Sequence, residues 1–314
     1  MEWQSAAVGR GGVDGLRRPA SPRHSWMERE PVLGWILVAP ALAVLLVFIA
    51  YPFVYGLWLA LTDSQGGNLG RFVGLTNFIG LWKDSIFRQT VVNSFTYTIV
   101  TLIFKITLGM VMALLLNRSS VIRNVLRAAL LLPWIVPTVL GALAWFMLFD
   151  STFSPLSWTL IRLGLVKENI AFLGDPHLAM GCLILVNVWR GIPFFGISLL
   201  AALQAVPADL YEAATVDGAS AWQQFRNITV PMLEPVLVVV TLLSMIWTFS
   251  DFQLIYVLTQ GGPADSTHVF ATLAYQVGLG AAQMGVGAAI SVAMFPVLAI
   301  FAAVLLWWLR RREI

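Results

Sequence analysis

Hydrophobic positions along the chain gather into six long runs separated by polar stretches. A helix needs about 20 apolar residues to cross the hydrocarbon core of a bilayer. The runs 31–61, 90–116, 125–149, 178–203, 233–258 and 284–309 all reach that length, and each predicts a membrane-spanning helix. Pro40 and Pro52 interrupt the first run, and Pro133 and Pro137 lie inside the third. The connections 62–89, 150–177 and 259–283 have room for short helices but not for a domain. The polar stretch 205–232, between the fourth and fifth runs, has a pattern of its own. Pro207 suits the first turn of a helix, where its missing N–H costs nothing. Asp209 and Glu212 lie near the same helix start, where acidic groups are favoured. Gly218 fits a C-terminal cap, because glycine takes a left-handed backbone without penalty. Ser220 and Gln223 have the spacing of a capping box. Trp222, Phe225 and Ile228 make an apolar stripe, and Pro231 closes the element. The stretch therefore predicts two short helices with a glycine between them.

Composition strengthens the membrane reading. The chain is 59% hydrophobic and 11% charged, against about 25% charged in soluble domains. One membrane domain, 31–314, accounts for all but the first thirty residues. Those thirty are rich in Arg, Gly, Ser and Pro and predict a disordered cytoplasmic tail. The apolar run after them is far longer than the ~7–15 residues of a signal-peptide core. The formal net charge of +3 indicates no nucleic-acid partner. The placement of the charges says more than their sum. In a six-span arrangement, twelve of the 19 Lys and Arg residues fall on the side of the two termini and the polar elbow. Five fall on the other side, and Lys105 and Arg190 lie inside spans. Basic residues stay on the cytoplasmic side, so both termini and the elbow are expected there. Cys182 is the only cysteine and forms no internal disulfide. His24, His177 and His268 are scattered and form no metal-ligand set. No H-E-x-x-H, G-x-S-x-G or carboxylate pair marks an intramembrane enzyme.

Charged groups inside a span are costly, about 2.5–3.5 kcal/mol each even on the lenient insertion scale. Arg190 and Asp251 lie about 18 Å and about 10 Å from the outer ends of their spans, at ~1.5 Å per residue. A long arginine side chain bridges that difference, so the two are expected to pair. Such a pair either holds the two spans together or borders a path. Lys105, in the middle of the second span, has no evident partner at its depth and either snorkels or reaches a neighbouring subunit. A sugar would be bound by planar hydrogen-bonding groups and aromatic faces. Asn187, Arg190, Trp247, Asp251, Gln253 and Tyr256 are the candidates for such a path. The simpler reading of each tryptophan alone is a bundle-core or interface anchor.

Taken by its periodicity alone, the elbow also reads as an amphipathic hairpin on lipid headgroups. Its residues carry a more specific pattern. Glu212-Ala213-Ala214, three residues, Gly218, nine residues, Ile228 and then Val230-Pro231 resembles the EAA loop of ABC-importer permeases. The departure from that pattern is Val230 in place of leucine. The stretch LTQGGPADST, 258–267, is similar to the segment after the fifth core span in carbohydrate permeases of the maltose and glycerol-3-phosphate type. The resemblance implies an all-α integral membrane fold: a six-transmembrane-helix type I ABC importer permease with a cytoplasmic coupling helix. It implies a cytoplasmic (inner) membrane location in a bacterium or archaeon. It implies an ATPase subunit dimer, a second and different permease subunit and an extracytoplasmic solute-binding protein as partners, with lipid around the spans. Glu212, Ala213, Ala214 and Gly218 would carry the coupling to the ATPase. No cofactor is expected on this chain; the sequence has no GxxxxGK[ST] phosphate loop, and ATP and Mg belong to the partner. Two rivals stand beside this reading: an ion-gradient-driven secondary transporter, which would be expected to show internal repeats, and an importer for a non-sugar solute.

Overall fold

The computed structural model describes residues 30–117 and 123–312. The expected tail, 1–30, lies outside the described residues except for Glu30. Among the described residues, five helices are long and apolar enough to cross a membrane, and a bent helix pair makes a sixth candidate. The chain divides into two units, Met1–Val54 and Tyr55–Ile314. In the first, α1 (Glu30–Leu45) runs through Pro40 and leads into a π turn, Leu46–Ala50. Its apolar side chains, from Trp35 to Ile49, are largely exposed, as suits a helix solvated by lipid. Helix α2 (Tyr51–Ala60) follows the π turn.

The second unit holds α3 (Thr76–Lys83), α4 (Ser85–Asn117), α5 (Arg123–Ile135), α6 (Thr138–Leu148), α7 (Pro155–Arg162) and α8 (Pro176–Gln204). After these come α9 (Ala208–Val216), α10 (Ala221–Gln224), α11 (Val230–Phe249), α12 (Gln253–Leu258), α13 (Phe270–Tyr275) and α14 (Met284–Arg312). Local chemistry sets several starts. Asp175 accepts from the His177 and Leu178 amides, 2.9 Å each, at the head of α8. Ser154 does the same for the Ser157 amide at α7, with Pro155 in the first position.

Helices α4 and α8 form the central pair. Lipid is as apolar as leucine, so membrane helices gain by close van der Waals packing, which small residues permit. A Cβ placed on Gly109 of α4 would collide with Phe195, and one on Gly196 of α8 with Met112. Among the described residues, four buried clusters extend from this pair, and the smallest, Leu102, Phe195 and Val240, ties it to α11. Tyr97, Ala142, Leu183 and Ile255 join α4, α6, α8 and α12. Phe87, Phe249, Phe270 and Ile290 join α4, α11, α13 and α14. Met112, Leu199, Leu203 and Leu233 close the elbow end.

Two spans depart from the sequence expectation. The third, 125–149, is not one crossing helix: α5 and α6 meet at an angle of 99°. Pro137 has no N–H to donate and its ring crowds the preceding turn, and a residue before proline is disfavoured in the helical region. The fifth, expected to reach Leu258, ends at Phe249, and the chain turns through Ser250–Phe252 before α12. The Ser250 hydroxyl bonds back to the Ile246 carbonyl at 2.8 Å, and the Asp251 side chain takes up the Leu254 amide at 3.4 Å. Both side chains offer the backbone an alternative to continuing the helix.

The LTQGGPADST segment is clamped to α4. Asn93 donates to the Ser266 and His268 carbonyls at 2.7 and 3.1 Å, and Ser94 Oγ accepts from the Phe270 amide at 3.2 Å. Asn93→Leu leaves two carbonyls of this loop unpaired and is expected to destabilise the fold by about 1–3 kcal/mol. Limited proteolysis should then cut within 258–269 faster than in the parent. Unchanged proteolysis would show that the clamp contributes nothing.

Candidate functional site

The polar groups of three helices converge inside the apolar bundle. Along α4, Asn93, Tyr97, Thr101 and Lys105 stand four residues apart and share one face, and all four are buried. Helix α8 brings Asn187 and Arg190, and α11 with the turn after it brings Ser244, Thr248 and Asp251. The expected ion pair is present, with Arg190 Nη2 3.2 Å from Asp251 Oδ2. The same carboxylate oxygen accepts from Tyr97 Oη at 3.2 Å and Asn187 Nδ2 at 2.9 Å. Asn187 also donates to Tyr97 Oη at 2.5 Å. Arg190 Nη1 donates to Thr138 Oγ1, on α6, at 2.8 Å. Lys105 Nζ donates to Thr248 Oγ1 at 3.0 Å. Four spans are thus tied through one carboxylate and its neighbours, in an interior where an unpaired polar group is costly.

A cleft of about 220 Å³ opens beside this network. Lys105, Thr138, Arg190, Ser244 and Thr248 give it a polar side, and Trp134, Phe194 and Trp247 an aromatic one. The three rings form a continuous wall, with Trp134–Phe194 centroids 6.2 Å apart and Phe194–Trp247 centroids 5.2 Å apart. Trp247 remains 52% exposed.

Of the six path candidates, Arg190 and Trp247 line the cleft, while Asn187 and Asp251 stand behind Arg190 as its support. Gln253 and Tyr256 do not join them. Both lie on α12, past the turn that ends α11; Gln253 is exposed and Tyr256 stacks on Phe252 at 4.9 Å and beside Tyr275 at 5.1 Å. Trp189, next to Arg190 in the chain, packs edge-on against Trp145 at 5.6 Å. Sequence reasoning missed Tyr97, Thr138, Ser244 and Thr248, and it found no partner for Lys105. The four-residue polar rhythm of α4 and the Ser244, Thr248 pair on α11 were the available signals.

The elbow is a stapled unit. Helix α9 starts after Pro207 and ends at Val216, with Asp217 as its C-cap, and Gly218 follows with φ +76°. Ser220 and Gln223 form both bonds of the capping box, at 2.7 and 3.4 Å. Gln224 Nε2 reaches back to Thr215 Oγ1 at 3.0 Å, and the Tyr211 and Thr229 hydroxyls bond at 2.9 Å. The two arms therefore cannot hinge freely about the glycine. The elbow joins α8 through Ala205 and Val206 and runs into α11 through a π turn, Phe225–Thr229. Glu212, Ala213 and Gly218 are exposed and Ala214 is half-buried. Val216 is 87% and Trp222 66% exposed, so the elbow presents apolar side chains outward.

Comparison with known proteins places these features in context. The profile of the family described as binding-protein-dependent transport system inner membrane component matches residues 105–313. The chain is 38% identical to the trehalose/maltose transport system permease protein MalF of Thermococcus litoralis, over 88% of this chain and 94% of that one. It is 34% identical to the lactose transport system permease protein LacF of Rhizobium radiobacter, over 81% and 86% respectively. In fold it is similar to a chain of a bacterial ABC transporter that imports the acidic polysaccharide alginate. The TM-score is 0.78 at 24% identity, covering 91% of this chain and 97% of that one.

Proposed function

The chain belongs to the family of binding-protein-dependent transport system inner membrane components, and from that membership we propose that it is the membrane subunit of an ATP-driven importer for a carbohydrate. The similarity to trehalose/maltose and lactose permeases supports the carbohydrate class. The observation that carries the coupling half of the reading is the elbow: a stapled, exposed helix pair joined directly to two spans of the bundle.

The domain from 31 to 314 is the permease, with 205–232 as its coupling elbow. The excess of Lys and Arg on the side of the termini and elbow supports a cytoplasmic position for them in a bacterial or archaeal cell. An ATPase dimer lies below, a second permease alongside, and a solute-binding protein docks outside. ATP and Mg²⁺ are held by the ATPase, since this chain lacks a phosphate loop. Small Ala213 and Ala214 let α9 approach the ATPase surface closely, and Glu212 and Gly218 complete that contact. When the ATPase subunits close on ATP, the elbow moves as one body and carries α8 and α11 with it. Those are two of the helices that build the Arg190, Trp247 cleft, so motion below reshapes the path above.

Co-expression with a candidate ATPase subunit and a candidate second permease from the same organism tests the assembly. All three chains are expected to co-purify in detergent. Purification of this chain alone, stable and without partners, would contradict the reading.

A further inference from the structure

The cleft between α4, α8 and α11 holds an imbalance that the transport reading does not explain. Lys105 is 3% exposed and lines the cleft, with the neutral Thr248 hydroxyl as its bonded partner. An ammonium has three donors and one positive charge. Among the described residues Lys105 makes no ion pair. The nearest buried acid of the network, Asp251, already accepts from Tyr97, Asn187 and Arg190 on one oxygen and from the Leu254 amide on the other. Two basic side chains therefore face the cleft against one carboxylate. The glycine at 191 leaves room for the lysine. Gly191 of α8 lies against the Lys105 stem, where any Cβ would collide with it.

Buried charges in a membrane protein are found paired. We propose that the missing partner is an anionic group on the solute, and that this permease carries an acidic carbohydrate with Lys105 as its specificity-determining residue. The inference rests on the importer reading above. The rest of the cleft suits such a molecule. The Trp134–Phe194–Trp247 wall offers aromatic faces to the apolar C–H face of a sugar ring. Thr138, Ser244 and Thr248 offer hydroxyls to its own hydroxyls. Lys105 and Arg190 stand on the polar side of the same space, where a carboxylate or sulfonate substituent would lie. The same chemistry could come from a carboxylate side chain of the second permease, and the test separates the two sources.

The assembled transporter, in nanodiscs and without binding protein, is to be titrated by equilibrium dialysis with cellobiose and with cellobiouronate. The two share a glycosidic linkage and differ by one carboxylate. The acidic disaccharide is expected to bind at least ~tenfold tighter, equivalent to about 1.4 kcal/mol. Lys105→Gln keeps a donor for Thr248 and should erase the preference, while Lys105→Arg should retain it. Gly191→Ala, which shifts the lysine stem without removing the amine, should weaken it. Equal affinities in the parent, or a preference that survives Lys105→Gln, would overturn the proposal. So would dissociation of the two permeases in Lys105→Gln with no sugar preference in the parent, which would assign the anion to the second subunit. Binding of neither disaccharide would remove the cleft as a solute site and the inference with it. Each of these results is compatible with intact ATP-driven uptake, so the importer reading is judged separately.

Discussion

Gly218→Asp is expected to insert and fold in the membrane yet lose ATP-coupled uptake to background. Gly218 has φ +76°, and a Cβ there would meet nothing of this chain within 4 Å. The cost to the isolated chain is therefore backbone strain alone, about 1–2 kcal/mol for a residue with a Cβ in the left-handed region. A larger functional loss has to arise at a surface this chain does not contain. The coupling reading supplies one, the ATPase groove into which α9 docks. Gly218→Asn separates the two effects. Asparagine has nearly the shape of aspartate and tolerates the same backbone, but it adds no charge. It should keep far more binding-protein-stimulated ATP hydrolysis than Gly218→Asp at a similar melting midpoint. Equal, near-normal coupling in both variants would remove the elbow from the coupling path.

The second large effect is expected at Asp251. Its side chain is 6% exposed, and its Oδ2 draws together α4, α8 and the end of α11. Asp251→Asn leaves Arg190 without a counter-charge and turns an acceptor site partly into a donor. Breaking a fully buried pair costs about 3–5 kcal/mol. The Arg190 side chain is 25% exposed, which screens part of that, so about 2–3 kcal/mol is expected here. For a bundle of this size the loss corresponds to a fall of about 5–10 °C in the unfolding midpoint in detergent. The double variant Arg190→Met with Asp251→Asn should recover part of the loss, because it removes the orphaned cation as well. A midpoint unchanged in Asp251→Asn would show that the pair does not hold the bundle.

Much of this architecture was legible in the chain. The elbow's two helices, its glycine turn and its capping box follow from Pro207, Gly218, Ser220 and Gln223, because caps and left-handed turns are local chemistry. The Arg190–Asp251 pair was readable because charge inside a span demands a partner. What was not legible depends on geometry beyond the local pattern. Hydropathy counts apolar residues and says nothing of direction, so the 99° bend at Val136 and Pro137 was hidden inside one long run. The turn at Ser250–Phe252 was hidden for the same reason, and Gln253 and Tyr256, read as part of the fifth span, lie past it on α12. The partner of Lys105 was missed because Thr248 is uncharged and lies 143 residues away in sequence. Yet the rhythm Asn93, Tyr97, Thr101, Lys105 does mark the face of α4 that turns inward, since polar side chains in a span avoid lipid.

Under the proposed function, this chain moves solute with energy taken from a partner ATPase through the elbow. Uptake into proteoliposomes tests it most directly. The vesicles would hold the co-purified complex with ATP and Mg²⁺ on the ATPase side, and loaded binding protein would be added on the other. Uptake is expected to require ATP, to require the binding protein and to persist when ion gradients are collapsed. Uptake that continues without ATP and stops when the gradients are collapsed would contradict it and assign the chain to the ion-driven transporters.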